Sequence, residues 1–430
     1  MALLFAALLV NVNVIAILRD NELRQRAGNT RLVIEQYDHE RGSILVGRRA
    51  VAKSVPTDGR LKYQRLYPGG MEFAAATGYY SLYGATGIER TENDLLAGTD
   101  DRLFVDRLTN LFTGRQPQGG NVVLTLNSDA QRAAVAGLDG QRGAVVALNP
   151  RTGAVLALAT SPSFNPNPLA SHDPSVVTKT YDRLAADPRD PLLDRPIQQT
   201  YPPGSLFKVV VAAAALSTGS YTPSTQVPGP AKLDLPQTDK YIGNYDGLPC
   251  FGGTVTLTQA LAISCNTAFA GIGLDLGDAV VRRQAEAFGF NRGYTIPLAV
   301  VPSVYPKDLN APETAQAAIG QYDVRASVMQ MAMVAAGVAN QGVVMQPYLV
   351  AQEQAPNLSV LSATQPKVLS QAVSPSVASQ LTDMMVSVVT DGTGANAAIP
   401  GVSVAGKTGT AQDGRRPPHV WFMAFAPAQD

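Results

Sequence analysis

The chain has 430 residues, long for one ordinary domain and consistent with two or three. Hydrophobic residues make up 45% and charged residues 16%, which is a globular composition and excludes a disordered chain. Lys plus Arg and Asp plus Glu both number 34, so no basic excess points to a nucleic-acid partner. With two cysteines and three scattered histidines (His39, His172, His419), no metal site is expected. No motif asks for a cofactor.

Ala2 to Leu18 is apolar apart from Asn11 and Asn13, and Arg19 and Asp20 close it. A run of about 17 residues is at the short limit for a spanning helix. We read residues 1–18 as a membrane anchor; a clipped start is left open. The rival readings are a secretory signal, which lacks its basic flank and cleavage site, and a buried helix. No Lys or Arg precedes the run, so charge does not give its orientation.

Residues 19–118 read as a separate small module. Asn21 to Tyr37 is a polar helix rich in Arg and Glu, within a helical stretch from 19 to about 40. Short strands such as Gly42 to Val46 then mix with helical pieces. The turn residues of Thr113-Gly-Arg-Gln-Pro-Gln-Gly-Gly120 mark an interdomain linker, which starts the second domain at 119 and runs it to 430.

In that second domain Asn121 to Leu126 alternates like a strand and Asp129 to Leu138 reads as a helix. Two apolar runs, Gly143–Leu148 and Ala154–Ala159, flank Asn149-Pro-Arg-Thr-Gly153 and predict a hairpin. Because both runs are continuously apolar, their sheet is expected to be covered on both faces. Val209 to Leu216 predicts a core helix, apolar on every side. Residues 225–253, rich in Pro and Gly, read as a long surface loop. Thr258–Leu274, Val324–Asn340 and Pro375–Thr390 predict further helices.

Three short motifs carry chemistry. Ser205-Leu-Phe-Lys208 follows the stiff loop Tyr201-Pro-Pro-Gly204. A serine in the first turn of a helix gains from the helix dipole when it becomes anionic. Spacing i to i+3 puts Lys208 on its face. A buried lysine loses its proton more readily, and its neutral amine can take the serine's. Alone, the pattern is equally a helix cap with a solvent lysine.

Ser264-Cys-Asn266 lies early in an apolar helix. Ser264 can relay a proton between Lys208 and a leaving group, and Asn266 can hold a substrate amide. Alone, it reads as a cap or turn. Lys407-Thr-Gly-Thr410 follows the strand-like Val402–Ala405. Gly409 would let an extended substrate lie against the strand, and Lys407 and Thr408 would meet its carboxylate. The N–H groups of Ser205 and Thr410 would form an oxyanion hole.

Two phosphate-site patterns are rejected on context. Gly401-Val-Ser-Val-Ala-Gly-Lys-Thr408 fits a phosphate loop, but its spacer is β-branched and Gly409 and Pro417-Pro418 follow where a helix should start. Gly392-Thr-Gly-Ala-Asn-Ala397 mimics a dinucleotide fingerprint but follows a helix.

S-x-x-K, S-x-N and K-T-G in this order resemble the motif set of the penicillin-binding proteins and class A β-lactamases. The likeness extends to Asp194-Arg-Pro-Ile197, Tyr201–Lys208, Thr160-Ser-Pro-Ser-Phe-Asn-Pro-Asn167 and Ala339-Asn-Gln-Gly-Val-Val-Met-Gln-Pro347. Arg41-Gly-Ser-Ile44 and Gly87-Ile-Glu89 resemble the N-terminal module of class B members. The chain resembles that class over nearly its whole length, nearest to the branch of mycobacteria and their actinobacterial relatives.

The resemblance implies an α+β penicillin-binding/β-lactamase-like transpeptidase domain: an antiparallel sheet with helices on both faces plus an all-helical subdomain. It implies a peptidoglycan D,D-transpeptidase in wall synthesis and division, on the extracytoplasmic face of the membrane. Ser205 would attack a D-Ala-D-Ala stem peptide, release D-Ala, and pass the acyl group to a neighbouring strand's amine. β-Lactams would acylate the same serine. Membrane lipid around the N-terminal helix and division proteins are the further partners implied. Among the alternatives, a D,D-carboxypeptidase or endopeptidase uses the same residues. A β-lactamase would not need the anchored module, and a non-catalytic division scaffold belongs to another class. A glycosyltransferase has no room before residue 119.

An exported domain also favours a disulfide between Cys250 and Cys265, the alternative being two separate buried thiols. A bridge across such a loop is worth about 3 kcal/mol in the loop-entropy model. Finally, the family adds a central strand and a C-terminal helix after the strand expected at His419–Phe425. Because the chain ends at Asp430, we expect neither; the Val145 and Phe422 strands should lie about 9–10 Å apart or collapse into a non-family pairing, and the intact protein should be an enzyme but this 430-residue chain unstable or inactive alone.

Overall fold

The computed structural model describes residues 37–114, 116–413 and 416–429. The anchor read at 1–18 and most of the polar helix after it lie outside the described residues. Residues 37–40, the end of that expected helix, form a turn and a bridge instead, with Glu40 against Gln118. Among the described residues no helix is long and apolar enough to cross a membrane.

The chain forms two compact units. The first comprises the described residues up to Leu124, with Pro162–Leu192 and Val350–Ala363; the second comprises Thr125–Ser161, Leu193–Leu349 and Thr364 onward. The sequence reading placed one boundary at 118/119. It gave no sign that two later segments return to the first unit, because each is joined to its neighbours by ordinary loops.

In the first unit a six-stranded sheet runs Val360–Ala363, Val350–Gln354, Asn121–Leu124, Ile44–Val46, Arg49–Pro56, Tyr63–Leu66. All pairings are antiparallel except that of Ile44–Val46 with Asn121–Leu124. Ile44, Val46, Val122 and Leu124 alternate inward, as a half-buried sheet requires. Beside them Glu89 is completely buried between two guanidiniums, 2.7 Å from Arg41 Nε and 2.6 Å from Arg65 Nε. Tyr67 donates to the same carboxylate at 3.1 Å. Burial alone would raise the Glu89 pKa, but Arg65 and Arg41 outweigh it and hold the carboxyl below its ordinary value.

The second unit is built round the helix Lys208–Ser217, whose residues 208–216 are all buried. The apolar run Val209–Leu216 explains why: no face suits solvent. Helices Asn266–Leu276, Asp278–Ala287 and Pro375–Thr390 pack on it. The expected hairpin forms from Gly143–Leu148 and Val155–Ser161. Helix Ser128–Leu138 lies against it, where Gln131 accepts from Leu158 N at 2.8 Å and donates to Leu158 O at 3.0 Å.

Three expectations need correction. Val155–Ser161 is largely buried, but every residue of Gly143–Leu148 is only half-buried. The reason is a groove of about 620 Å³ between Gly143–Leu148 and the strand Arg416–Phe425, floored by helix Val328–Ala339. Among the described residues the two strands do not pair with each other. Second, residues 225–253 are not a plain loop: Lys232–Asp234 pairs with Tyr241–Gly243, and Gln226–Pro228 with Thr254–Thr256. Third, the helix expected over Thr258–Leu274 is two helices, Leu257–Ala262 and Asn266–Leu276, broken at Ser264.

Candidate active site

Ser205 sits in a 3₁₀ turn, Gly204–Phe207, and the α-helix begins at Lys208. The sequence placed Ser205 in the first α-helical turn. The tighter turn serves the same end, because side chains at i and i+3 eclipse in 3₁₀ geometry.

The turn is held from several sides. Tyr201 exchanges two backbone hydrogen bonds with Ala326, at 2.9 and 2.8 Å. Trp421 Nε1 donates to Pro202 O at 3.0 Å, and the rings of His419 and Trp421 flank Tyr201. Gly204 has φ +53°, a conformation that favours glycine, and its N donates to Gly320 O at 3.0 Å. A Cβ on Gly320 would lie 2.1 Å from Gly204 O, and one on Gly204 would lie 2.6 Å from Thr410 O. The serine turn and the Thr410 segment are thereby in contact, as a shared oxyanion hole needs.

Lys208 is completely buried. Its Nζ lies 2.6 Å from Ser264 O, 2.7 Å from Asn266 Oδ1 and 3.2 Å from Ser264 Oγ. No carboxylate is among these contacts. Desolvation, reinforced by the neighbouring Lys407 charge, pushes its pKa well below the ordinary lysine value. The two short contacts go to carbonyl oxygens, which only accept, so they account for both protons of a neutral amine. The lone pair is then available to a hydroxyl.

Ser264 was expected inside a helix. It stands instead in the break, with φ +63°, a left-handed conformation uncommon for a side-chain-bearing residue. The kink turns its carbonyl and hydroxyl together onto Lys208. Asn266 opens the next helix, and its Nδ2 donates to Gly243 O at 3.0 Å, which fixes Oδ1 toward Lys208.

Lys407-Thr-Gly-Thr410 lies in the strand Ala405–Asp413, paired antiparallel with Arg416–Phe425 so that Lys407 faces Met423 and Gly409 faces Trp421. The strand continues through Thr408 and Gly409, which removes the phosphate-loop reading. Two expectations change here. Lys407 is completely buried, with its Nζ donating to Thr408 O at 2.9 Å, and burial pushes its pKa down to about 7. It is therefore an electrostatic neighbour of Lys208, whereas Thr408 and Thr410 are the more open side chains of the segment. Gly409 is needed for packing: a Cβ there would lie 3.0 Å from Leu206 Cγ and 3.2 Å from Pro203 O.

Cys250 and Cys265 form a disulfide, S–S 2.09 Å, beside this cluster. The segment that mimicked a dinucleotide fingerprint has a structural part: Thr393 N donates to Ala262 O at 3.1 Å, and Thr393 and Thr408 hydroxyls share a 2.6 Å hydrogen bond. Sequence reasoning missed Thr393, Gly320 and Trp421. None carries a local signal, since each acts on a segment distant in the chain. Among the described residues no group of three or more His, Cys, Asp or Glu side chains is placed to hold a metal.

A serine turn, a desolvated lysine, a kinked Ser-x-Asn and a Lys-Thr-Gly strand all lie in the second unit, the groups a serine acyltransferase site would need. Residues 143–430 match the penicillin binding protein transpeptidase domain, and residues 41–122 the penicillin binding protein A dimerisation domain. The chain belongs to the class B penicillin-binding proteins, a family of peptidoglycan D,D-transpeptidases. It is 44% identical to peptidoglycan D,D-transpeptidase PbpA of Mycolicibacterium smegmatis, over 99% of this chain and 89% of that one. It is 42% identical to PbpA of Mycobacterium tuberculosis at the same coverage. Its fold is similar to that of the ceftriaxone acyl-enzyme of M. tuberculosis penicillin-binding protein A, with TM-score 0.90 and 42% identity over 92% of this chain and 91% of that one. The imipenem acyl-enzyme gives the same TM-score at 43% identity, over 92% of each chain.

Proposed function

We propose that this chain cross-links peptidoglycan stem peptides through an acyl-enzyme on Ser205, with Lys208 as the base. The observation that carries the assignment is the buried Lys208 amine, whose two short contacts are both to carbonyl oxygens. Neutral Lys208 takes the Ser205 proton as Oγ attacks the penultimate D-Ala carbonyl. The oxyanion rests on the Ser205 and Thr410 N–H groups. The proton passes through the Ser264 hydroxyl to the departing D-Ala amine. An acceptor amine on a second stem peptide then attacks the ester, losing its proton along the same path. Asn266 holds the substrate amide, Thr408 and Thr410 its carboxylate, and the Lys407 charge supports that end of the site.

The same serine is the β-lactam target, since the acyl-enzymes of the mycobacterial relatives were formed with ceftriaxone and imipenem. Residues 1–18 anchor the chain in the membrane with the catalytic domain outside, and 19–118 form the non-catalytic module, the surface offered to division proteins. The test is turnover of a D-Ala-D-Ala peptide with and without an amine acceptor. Acceptor-dependent formation of the cross-linked product supports transpeptidation. D-Ala release that ignores the acceptor would mean a carboxypeptidase, and no turnover a scaffold.

A further inference from the structure

The helix Asn266–Leu276 begins without a cap of its own: Cys265, at its N-cap, makes no side-chain hydrogen bond to the first turn. Its orphan N–H groups are met from elsewhere in the chain. Asn244 Oδ1 accepts from Asn266 N at 3.1 Å, from Thr267 N at 3.1 Å and from Thr267 Oγ1 at 3.2 Å. Asn244 Nδ2 donates to Pro230 O at 3.0 Å and to Leu248 O at 2.8 Å. Both amide protons and the carbonyl are thus in use, and reversing the amide would set oxygen against two carbonyls. The preceding residue, Gly243, accepts Asn266 Nδ2. Two successive residues at the end of the Lys232–Gly243 hairpin, Gly243 through its carbonyl and Asn244 through its side chain, therefore fix the side chain and the backbone of Asn266 together.

We propose that Asn244 is a positioning residue for acylation: it holds Asn266 Oδ1 against Lys208 and keeps water away from that amine. The proposal rests on Lys208 being the base for Ser205. Without the Asn244 oxygen, two N–H groups at the start of the helix need new acceptors, and water is the nearest source, while the Thr267 hydroxyl keeps Pro230 O at 2.8 Å. Asn266 then keeps its Nδ2 bond to Gly243 O but loses the fixed backbone that aims its Oδ1, and the Lys208 amine loses its dry setting. Replacing Asn244 by Asp keeps an oxygen cap, which an N-terminus welcomes, but gives up both donations to Pro230 O and Leu248 O and brings a carboxylate to the segment that holds Asn266, which favours the ammonium form of Lys208.

The experiment measures the second-order rate of acylation by benzylpenicillin against pH for the native chain, Asn244→Ala and Asn244→Asp, with melting curves of all three. Asn244→Ala is expected to acylate at least tenfold more slowly at neutral pH. Asn244→Asp is expected to acylate more slowly than the native chain, with the acid limb of its profile displaced to higher pH. An Asn244→Ala rate within twofold of native overturns the proposal, as does an Asn244→Asp profile that superimposes on the native one. Should Asn244→Ala fail to melt cooperatively, the Asn244→Asp profile decides. A native chain that does not acylate at all would count against the Ser205–Lys208 reading instead.

Discussion

Asn266 Oδ1 lies 2.7 Å from Lys208 Nζ, and no carboxylate is among the contacts of that buried lysine. An acceptor that carries no charge orients the amine without holding it as an ammonium, which is what a base for a serine hydroxyl needs. Lys208→Met should therefore lower the rate of acylation by about 10²–10⁴-fold, the usual worth of a positioned general base. Stopped-flow acylation by a chromogenic β-lactam checks this, and a loss under threefold would contradict it. The native rate should fall only as pH drops through a Lys208 pKa well below 10.5.

Lys407 gives a pH signature in stability. Its pKa is about 7 in the fold against an ordinary 10.5. A lysine depressed in this way binds fewer protons folded than unfolded between those values, so its contribution to stability rises with pH across that window and is lost as pH falls through 7. The native chain should gain stability relative to Lys407→Met between pH 7 and pH 9, read from urea midpoints. Parallel pH dependences would show that Lys407 is not desolvated as the geometry implies.

Asp194 works the other way. Desolvation pushes its pKa up to about 8 from 3.8. Its contribution is fully present below pH 3.8 and is lost as pH rises through 8. Asp194→Asn should become progressively more stable than the native chain between pH 4 and pH 8. Thermal melts across that range test it, and a constant difference would refute it.

In the first unit, Glu89 joins Arg41, Arg65 and Tyr67 in full burial. Removing one member of such a cluster leaves uncompensated charge. Glu89→Ala should cost about 3–5 kcal/mol in chemical denaturation. A cost under 1 kcal/mol would mean that water reaches the guanidiniums.

What the sequence made legible was local. The spacing of Ser205 and Lys208, the hairpin round Asn149–Gly153 and the Pro375–Thr390 helix all follow from neighbours along the chain. The break at Ser264 did not show, because Thr258–Leu274 keeps an apolar period straight through it and a left-handed serine has no composition signal. Asn244 was invisible for a related reason: it caps a helix 22 residues away, and only the nested hairpins bring the two together. From sequence Gly409 reads as room for substrate, because a glycine in a strand permits any close contact. Only the structure shows that Leu206 and Pro203 take that space. The burial of Lys407 was equally hidden, since a strand's alternation does not say which face the core takes.

Acyl-enzyme formation at Ser205 is checked by intact-mass measurement and peptide mapping of a complete enzyme carrying these three motifs after exposure to benzylpenicillin. A single adduct is expected, on the peptide containing Ser205, and none in Ser205→Ala. An adduct that persists in Ser205→Ala, or one on a peptide without Ser205, would contradict it.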